Sequence, residues 1–273
     1  IDATADGNTF NTVDLGDGAN TLDIDGTNTT IDTLTAGSDV DTVDISGDGT
    51  TITNGMLGIG DDIVNVSGTN LTNSTFNGKF DDDTFNLGGS NSTSNTIIGG
   101  HDDDVVNLTG DNWDSNSIQL GNYQTSARTD NDQINITGTN LDGNIFDTDN
   151  VDSGDDTIDF GGSTSTNNTF YMDGGTDTFT LSGTGLDSNI IDTGDGNDVI
   201  SVTGDTNLNN TLLAGTGDDD VNIDATADGN TFNTVDLGDG TNTLDIDGTN
   251  TTIDTLTAGT GADNVTISGS GNT

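Results

Sequence analysis

Aspartate returns to one place in a cycle of about 21 residues. Asp41, Asp62, Asp83, Asp104, Asp132, Asp156, Asp177, Asp198, Asp219 and Asp263 each stand four residues before an apolar residue, and Asn20 and Asn242 hold that place twice more. The apolar residues are Ile24, Ile45, Val66, Leu87, Leu108, Ile136, Phe160, Leu181, Val202, Ile223, Ile246 and Ile267, spaced by 21, 21, 21, 21, 28, 24, 21, 21, 21, 23 and 21. A period this short, held this long, belongs to stacked coils. Coils about 4.8 Å apart would set carboxylate above carboxylate. Each such pair repels by roughly 1 kcal/mol in water, and by several at an effective dielectric of about 20. The chemistry that this spacing demands is capture of a cation. The chain's own cations, Lys79 and Arg128, are too few to neutralise the row.

The elements that must hold the row are short. In Gly194–Gly204 the first five residues read as a turn, because glycine reaches positive φ without steric cost. Ile200 and Val202 then alternate with polar residues, as in a half-buried strand, and Gly204 ends it. Ten residues after each anchor comes a second apolar place: Leu34, Phe76, Ile97, Ile118, Phe146, Phe170, Ile191, Leu212 and Leu256, with Met56 and Phe232 displaced by one. This predicts a second strand and about three buried apolar side chains per coil. Asn95, Asn116, Asn144, Asn168, Asn189 and Asn210 lie two residues before that place, a register that suits a hydrogen-bonded amide ladder. The fold expected is all-β, a parallel β-solenoid of 21–22 residues per coil and about twelve coils, a rod of about 60 Å.

Composition sets the conditions. The formal charge is -46 at pH 7, every acidic residue is Asp, and 27% of residues are hydrophobic. A bare chain of that kind lacks the apolar surface to fold against its own charge, so the strict register predicts folding when cations arrive. Without Cys there are no disulfides or thiolate sites. Absent Pro suits uninterrupted strands. No apolar run reaches bilayer length, so no membrane insertion is expected, and the negative charge disfavours nucleic acid.

The turn itself carries a motif. Gly-x-Gly-x-Asp/Asn occurs at Gly16–Asn20, Gly58–Asp62, Gly194–Asp198, Gly215–Asp219, Gly238–Asn242 and Gly259–Asp263, and Gly37–Asp41 has Asp39 in the second glycine place. This resembles the glycine- and aspartate-rich nonapeptide of RTX (repeats-in-toxin) proteins. The resemblance covers one half of every coil. It implies that loop carbonyls and the row aspartates of stacked turns jointly hold calcium (Ca2+), with the ligands Asp41, Asp62, Asp83, Asp104, Asp132, Asp156, Asp177, Asp198, Asp219 and Asp263 and the same places at Asn20 and Asn242. RTX rolls carry such turns on both sides of a shorter coil. Here the second turn is rich in Asn, Thr and Ser, so one ion row is expected. The chain is in that respect more similar to the one-sided calcium solenoids of large bacterial adhesins, among them an ice-binding module.

Residues 1–273 read as one continuous solenoid segment. Residues 1–37 and 223–259 match except at Ala19 and Thr241, so a ten-coil block, 1–222, restarts at 223. A register that runs off both ends reads as part of a longer array. Coils near 119–156 are irregular: a long interval carries Tyr123 and Arg128, with Trp113 and His101 just upstream. Lys79, Arg128, Asp152 and Asp173 take the first-glycine place, and ion sites are expected to fail there.

These readings favour a calcium-stiffened structural rod of a secreted or cell-surface protein: an adhesin stalk, a surface-layer component or an extracellular fibre. Its partners would be calcium and further copies joined end to end. Repetitive-face ligand binding, with ice as the concrete case, needs a regular Thr/Asn array. The residues between the turn glycines instead run Asp17, Ser38, Ile59, Phe80, His101, Thr129, Ser153, Gly174, Asp195 and Thr216. A polysaccharide-active β-helix enzyme would need a distinct catalytic cluster, and lone His101 and Arg128 do not make one, so the chain is not expected to be an enzyme.

Overall fold

The computed structural model describes residues 6–121, 129–148 and 153–273. Tyr123, Arg128 and Asp152 lie outside them. Among the described residues the regular elements are all β-strands. Twelve strands, from Thr21–Ile24 to Asn264–Ile267, form one parallel sheet. Fourteen, from Thr9–Asp14 to Leu256–Thr257, form a second. Gly174–Gly175 and Asp195–Gly196 make a third, two-stranded one on the turn side. This is the expected all-β parallel solenoid, with about 21 residues per coil and about 12 turns.

Alternation produces the first sheet. Thr42–Ile45 buries Val43 and Ile45, and Ile63–Val66 sets Val64 and Val66 against them in register. A slip of one residue would turn both anchors to solvent, so the pattern allows one alignment. The glycine two residues past nearly every anchor closes a corner, with Ala225 in that place after Ile223. A Cβ on Gly204 would stand 1.8 Å from the Gly183 carbonyl of the coil before, a space that only glycine leaves open.

The second sheet corrects two details. Its inward column runs Leu34, Gly55, Phe76, Ile97, Ile118, Phe146, Phe170, Ile191, Leu212, Val235 and Leu256. Gly55, not Met56, takes the inward place, because a Cβ there would stand 2.9 Å from the Thr75 carbonyl and 3.3 Å from the Phe76 ring. Val235, not Phe232, aligns with Leu212, because the register shifts between Asn210 and Thr211. Phe232 is still buried and pairs with Ile253 in a neighbouring column.

The core is also larger than three side chains per coil. Leu57 is buried within the strand Gly55–Ile59, and Leu71, Trp113, Leu120, Leu141, Met172 and Leu186 are buried between strands. Trp113 is fully enclosed and its indole Nε1 donates to the Gly89 carbonyl at 2.6 Å. It belongs to the core and not to a surface patch. The 28-residue interval leaves both sheets unbroken, with Val105 paired to Gln133 and Ile118 to Phe146.

Candidate metal centre

The row residues sit where the turn enters the first sheet. Their backbone N–H groups point along the rod, and each donates to the Oδ1 of the row residue one coil on. Asn20 donates to Asp41 at 2.7 Å, Asp41 to Asp62 at 2.6 Å, Asp62 to Asp83 at 2.8 Å and Asp83 to Asp104 at 2.8 Å. The series continues through Asp132, Asp156, Asp177, Asp198 and Asp219 at 2.7–2.9 Å. It then reaches Asn242 at 2.8 Å and Asp263 at 3.0 Å. All twelve predicted positions are therefore brought together in one ladder. From Asp41 to Asn242 they are buried.

In eight of these carboxylates only half is used. The Oδ2 atoms of Asp41, Asp62, Asp83, Asp104, Asp132, Asp177, Asp198 and Asp219 are buried without a hydrogen-bond donor. The second ladder of the molecule shows how a satisfied row looks. Asn95, Asn116, Asn144, Asn168 and Asn189 accept at Oδ1 in the same way, and the Nδ2 of each donates both to the next Oδ1 and to a carbonyl behind it. Asn144, for example, reaches Asn168 Oδ1 and the Trp113 carbonyl, each at 2.9 Å. The expected Asn ladder is present and complete. The Asp ladder is not.

What faces the bare oxygens is visible where Asn replaces Asp. The Asn20 amide Nδ2 donates to the Gly16 carbonyl at 3.1 Å and also to the Gly18 carbonyl. The Asn242 Nδ2 donates to the Gly238 carbonyl at 3.3 Å. Carbonyls of the residues four and two before the row position thus turn toward the second side-chain atom. An Asp in that place would turn an acceptor toward those acceptors. Either a proton or a cation must stand between them.

Burial pushes the carboxyls of the row upward, from an ordinary 3.8 to about 6 at Asp62, Asp198 and Asp219, about 8 at Asp83 and Asp177, and about 9 at Asp104. Asp132 is raised well above its ordinary value, first by burial and then by the charges of Asp104 and Asp156. Exposed aspartates are treated oppositely. Asp48, Asp111, Asp228 and Asp239 each accept from the backbone and hydroxyl of a threonine in the next coil, and these bonds hold their carboxyls below the ordinary value. The surface interleaves acid with hydroxyl where the buried row stacks acid on acid.

Among the described residues no group of three or more His, Cys, Asp or Glu side chains gathers as a metal site. An ion in the row would therefore take one side-chain oxygen per coil and complete its shell from backbone carbonyls. That donor set is all oxygen and set in a bending loop, which fits calcium, with its long and flexible coordination, better than magnesium. The displaced glycines do not break the frame. Lys79 adopts φ 91° and Asp173 φ 57° in the glycine's place, and the rungs beside them, Asp83 and Asp177, keep their ladder bonds. The same turn column also exposes Ile59 and Phe80, and the ring of His101 stacks on Phe80 at 5.0 Å.

No protein-family model and no curated protein matches the chain. Among solved structures it is similar to the crystal structure of a TibC-catalysed, hyper-glycosylated TibA fragment. That similarity has 18% identity and a TM-score of 0.28, over 97% of this chain and 98% of that chain. A superposition that loose carries no functional argument.

Proposed function

We propose that the chain is a calcium-stiffened rod of a secreted or cell-surface protein, with a structural role and no catalysis. The observation that carries this reading is the buried row of carboxylate Oδ2 atoms without a donor, set where carbonyls converge in the Asn coils. Asp41, Asp62, Asp104, Asp198 and Asp219 would hold ions through Oδ2, with the carbonyls four and two residues earlier, and the sites at Asp83, Asp132, Asp156 and Asp177, whose coils lack the first glycine, are expected to fail. Bound calcium supplies neutralisation and a bridge between coils. Extracellular millimolar calcium matches the affinity of weak modular sites, with Kd of about 10⁻⁴–10⁻³ M, whereas cytosolic levels would leave the chain a repelling polyanion. Crystals grown in calcium should show anomalous density beside the row. Its absence at saturating calcium would overturn the reading.

The same reading includes growth along the axis. Residues 252–273 leave Leu256, Val265 and Ile267 largely uncovered, and their strands pair on one side with Val235–Asp236 and Thr243–Ile246. A further coil of the same pattern, from this chain or another copy, would continue both sheets. Electron microscopy in millimolar calcium should show filaments that lengthen with concentration. Short monomers at every concentration would count against it.

A further inference from the structure

We infer that an asparagine amide and a bound ion are interchangeable in the rungs, and that Asn20 and Asn242 are rungs that hold their coils without an ion. The inference rests on the calcium reading only for the identity of the ion.

The argument begins with the cradle. A Cβ on Gly196 would stand 3.0 Å from Asp198 Oδ1, one on Gly175 3.1 Å from Asp177 Oδ1, and one on Gly240 3.1 Å from Asn242 Oδ1. Carboxylate and amide therefore occupy the same place at the same distance from the turn. Oδ1 also has the same task in both: Asp219 N–H donates to Asn242 Oδ1 at 2.8 Å, and Asp198 N–H to Asp219 Oδ1 at 2.9 Å. The two residues differ at the remaining atom. Nδ2 carries two protons and meets the Gly238 carbonyl, or in the other copy the Gly16 and Gly18 carbonyls. Oδ2 carries none and is left bare in the Asp rungs. An amide donor thus does locally what an ion does by charge: it presents a positive pole to the carbonyls and removes the negative charge from the rung. Both Asn rungs occupy equivalent places in the two copies of the repeated block. The ion row from Asp41 to Asp219 therefore lies between two neutral rungs that stand 222 residues apart.

This gives Asn20 and Asn242 a role opposite to the ligand role implied by the RTX resemblance. At those coils the second side-chain atom is a donor, and a cation there would face two protons.

The test uses the full chain and three variants: Asp104→Asn, a variant carrying Asn at all nine rungs from Asp41 to Asp219, and Asn242→Asp. Calcium per chain is counted by equilibrium dialysis, and melting is followed by circular dichroism at mildly alkaline pH in EGTA. Asp104→Asn should bind less calcium at saturation than the parent and melt at a higher temperature in EGTA. The nine-rung variant should hold its β spectrum in EGTA and lose its response to calcium. Asn242→Asp should gain bound calcium and melt lower in EGTA. An Asp104→Asn chain that binds as much calcium as the parent, or melts lower in EGTA, would overturn the inference, as would an Asn242→Asp chain with unchanged uptake. The single variants decide the matter if the nine-rung chain does not fold. Should the parent itself take up no calcium, the calcium reading fails, while the EGTA melting order of Asp104→Asn and parent still decides whether the amide replaces what the bare oxygen lacks.

Discussion

Two side chains that differ by one atom separate the two ladders of this molecule. Asn144 accepts from Asn116 through both N and Nδ2 and donates to the Trp113 carbonyl and to Asn168. Nothing polar in that rung is left over. Truncation should be felt accordingly: Asn144→Ala leaves the buried Asn116 N–H unpaired, while Asn116 Nδ2 keeps the Ser92 carbonyl and the Trp113 carbonyl keeps the Asp142 N–H, at roughly 1–3 kcal/mol for the group left unpaired. Chemical denaturation in calcium is the measurement, and a loss below that range would mean that water reaches the ladder. Asp104 shares the backbone geometry but leaves one oxygen bare. The residue type that looks most soluble is here the one that is least satisfied without a counter-ion.

At the scale of the element, the turn is governed by how closely one coil lies on the next. A Cβ on Gly217 would stand 1.5 Å from the Gly196 carbonyl, with φ 136°. Gly185 also has positive φ, 66°, but its nearest neighbour is the Thr164 Cγ2 at 3.9 Å. Gly217→Ala should therefore cost more than about 4 kcal/mol or prevent folding, whereas Gly185→Ala should cost about 1 kcal/mol, the strain of the backbone alone. Comparable melting temperatures for the two variants would show that the coils are not in the contact described. Lys79 adopts φ 91° at the place that pairs with Gly58, so positive φ is kept there without a glycine.

At the scale of the whole molecule, the raised carboxyls link stability to pH. A group whose folded value lies above its unfolded one stabilises the fold below the unfolded value and loses that contribution as pH rises through the folded one. For Asp62, Asp104 and Asp177 that window runs from 3.8 to about 6, about 9 and about 8. In EGTA the melting temperature should fall steadily from mildly acidic to alkaline pH. In calcium that fall should be removed, since the ion replaces the proton. A chelated chain that gains stability toward alkaline pH would contradict the assignment of these groups.

Much of this was legible from the residues. A strict period with apolar alternation left one arrangement for the first sheet, and six Asn in one register foretold their ladder. Legibility ended where packing, not pattern, decides. Met56 and Gly55 compete for one inward place, and only the neighbouring Thr75 carbonyl and Phe76 ring exclude the larger. Phe232 and Val235 both look inward until the shifted register beside Asn210 and Thr211 separates their columns. Trp113 stands outside the period-two pattern, between strands, so its burial was invisible. The aspartates do stand in one row as the spacing implies, but the use of Oδ1 by the ladder, with Oδ2 left over, depends on backbone N–H directions that no residue letter encodes.

The central claim is that a cation completes the buried row, and calcium-dependent folding tests it most directly. Far-ultraviolet circular dichroism of the chain at neutral pH should show a β spectrum that is weakened and melts at a far lower temperature in EGTA, is strengthened on titration to millimolar calcium, and reverts on renewed chelation. A β spectrum that is unchanged by EGTA at neutral and alkaline pH would contradict the account.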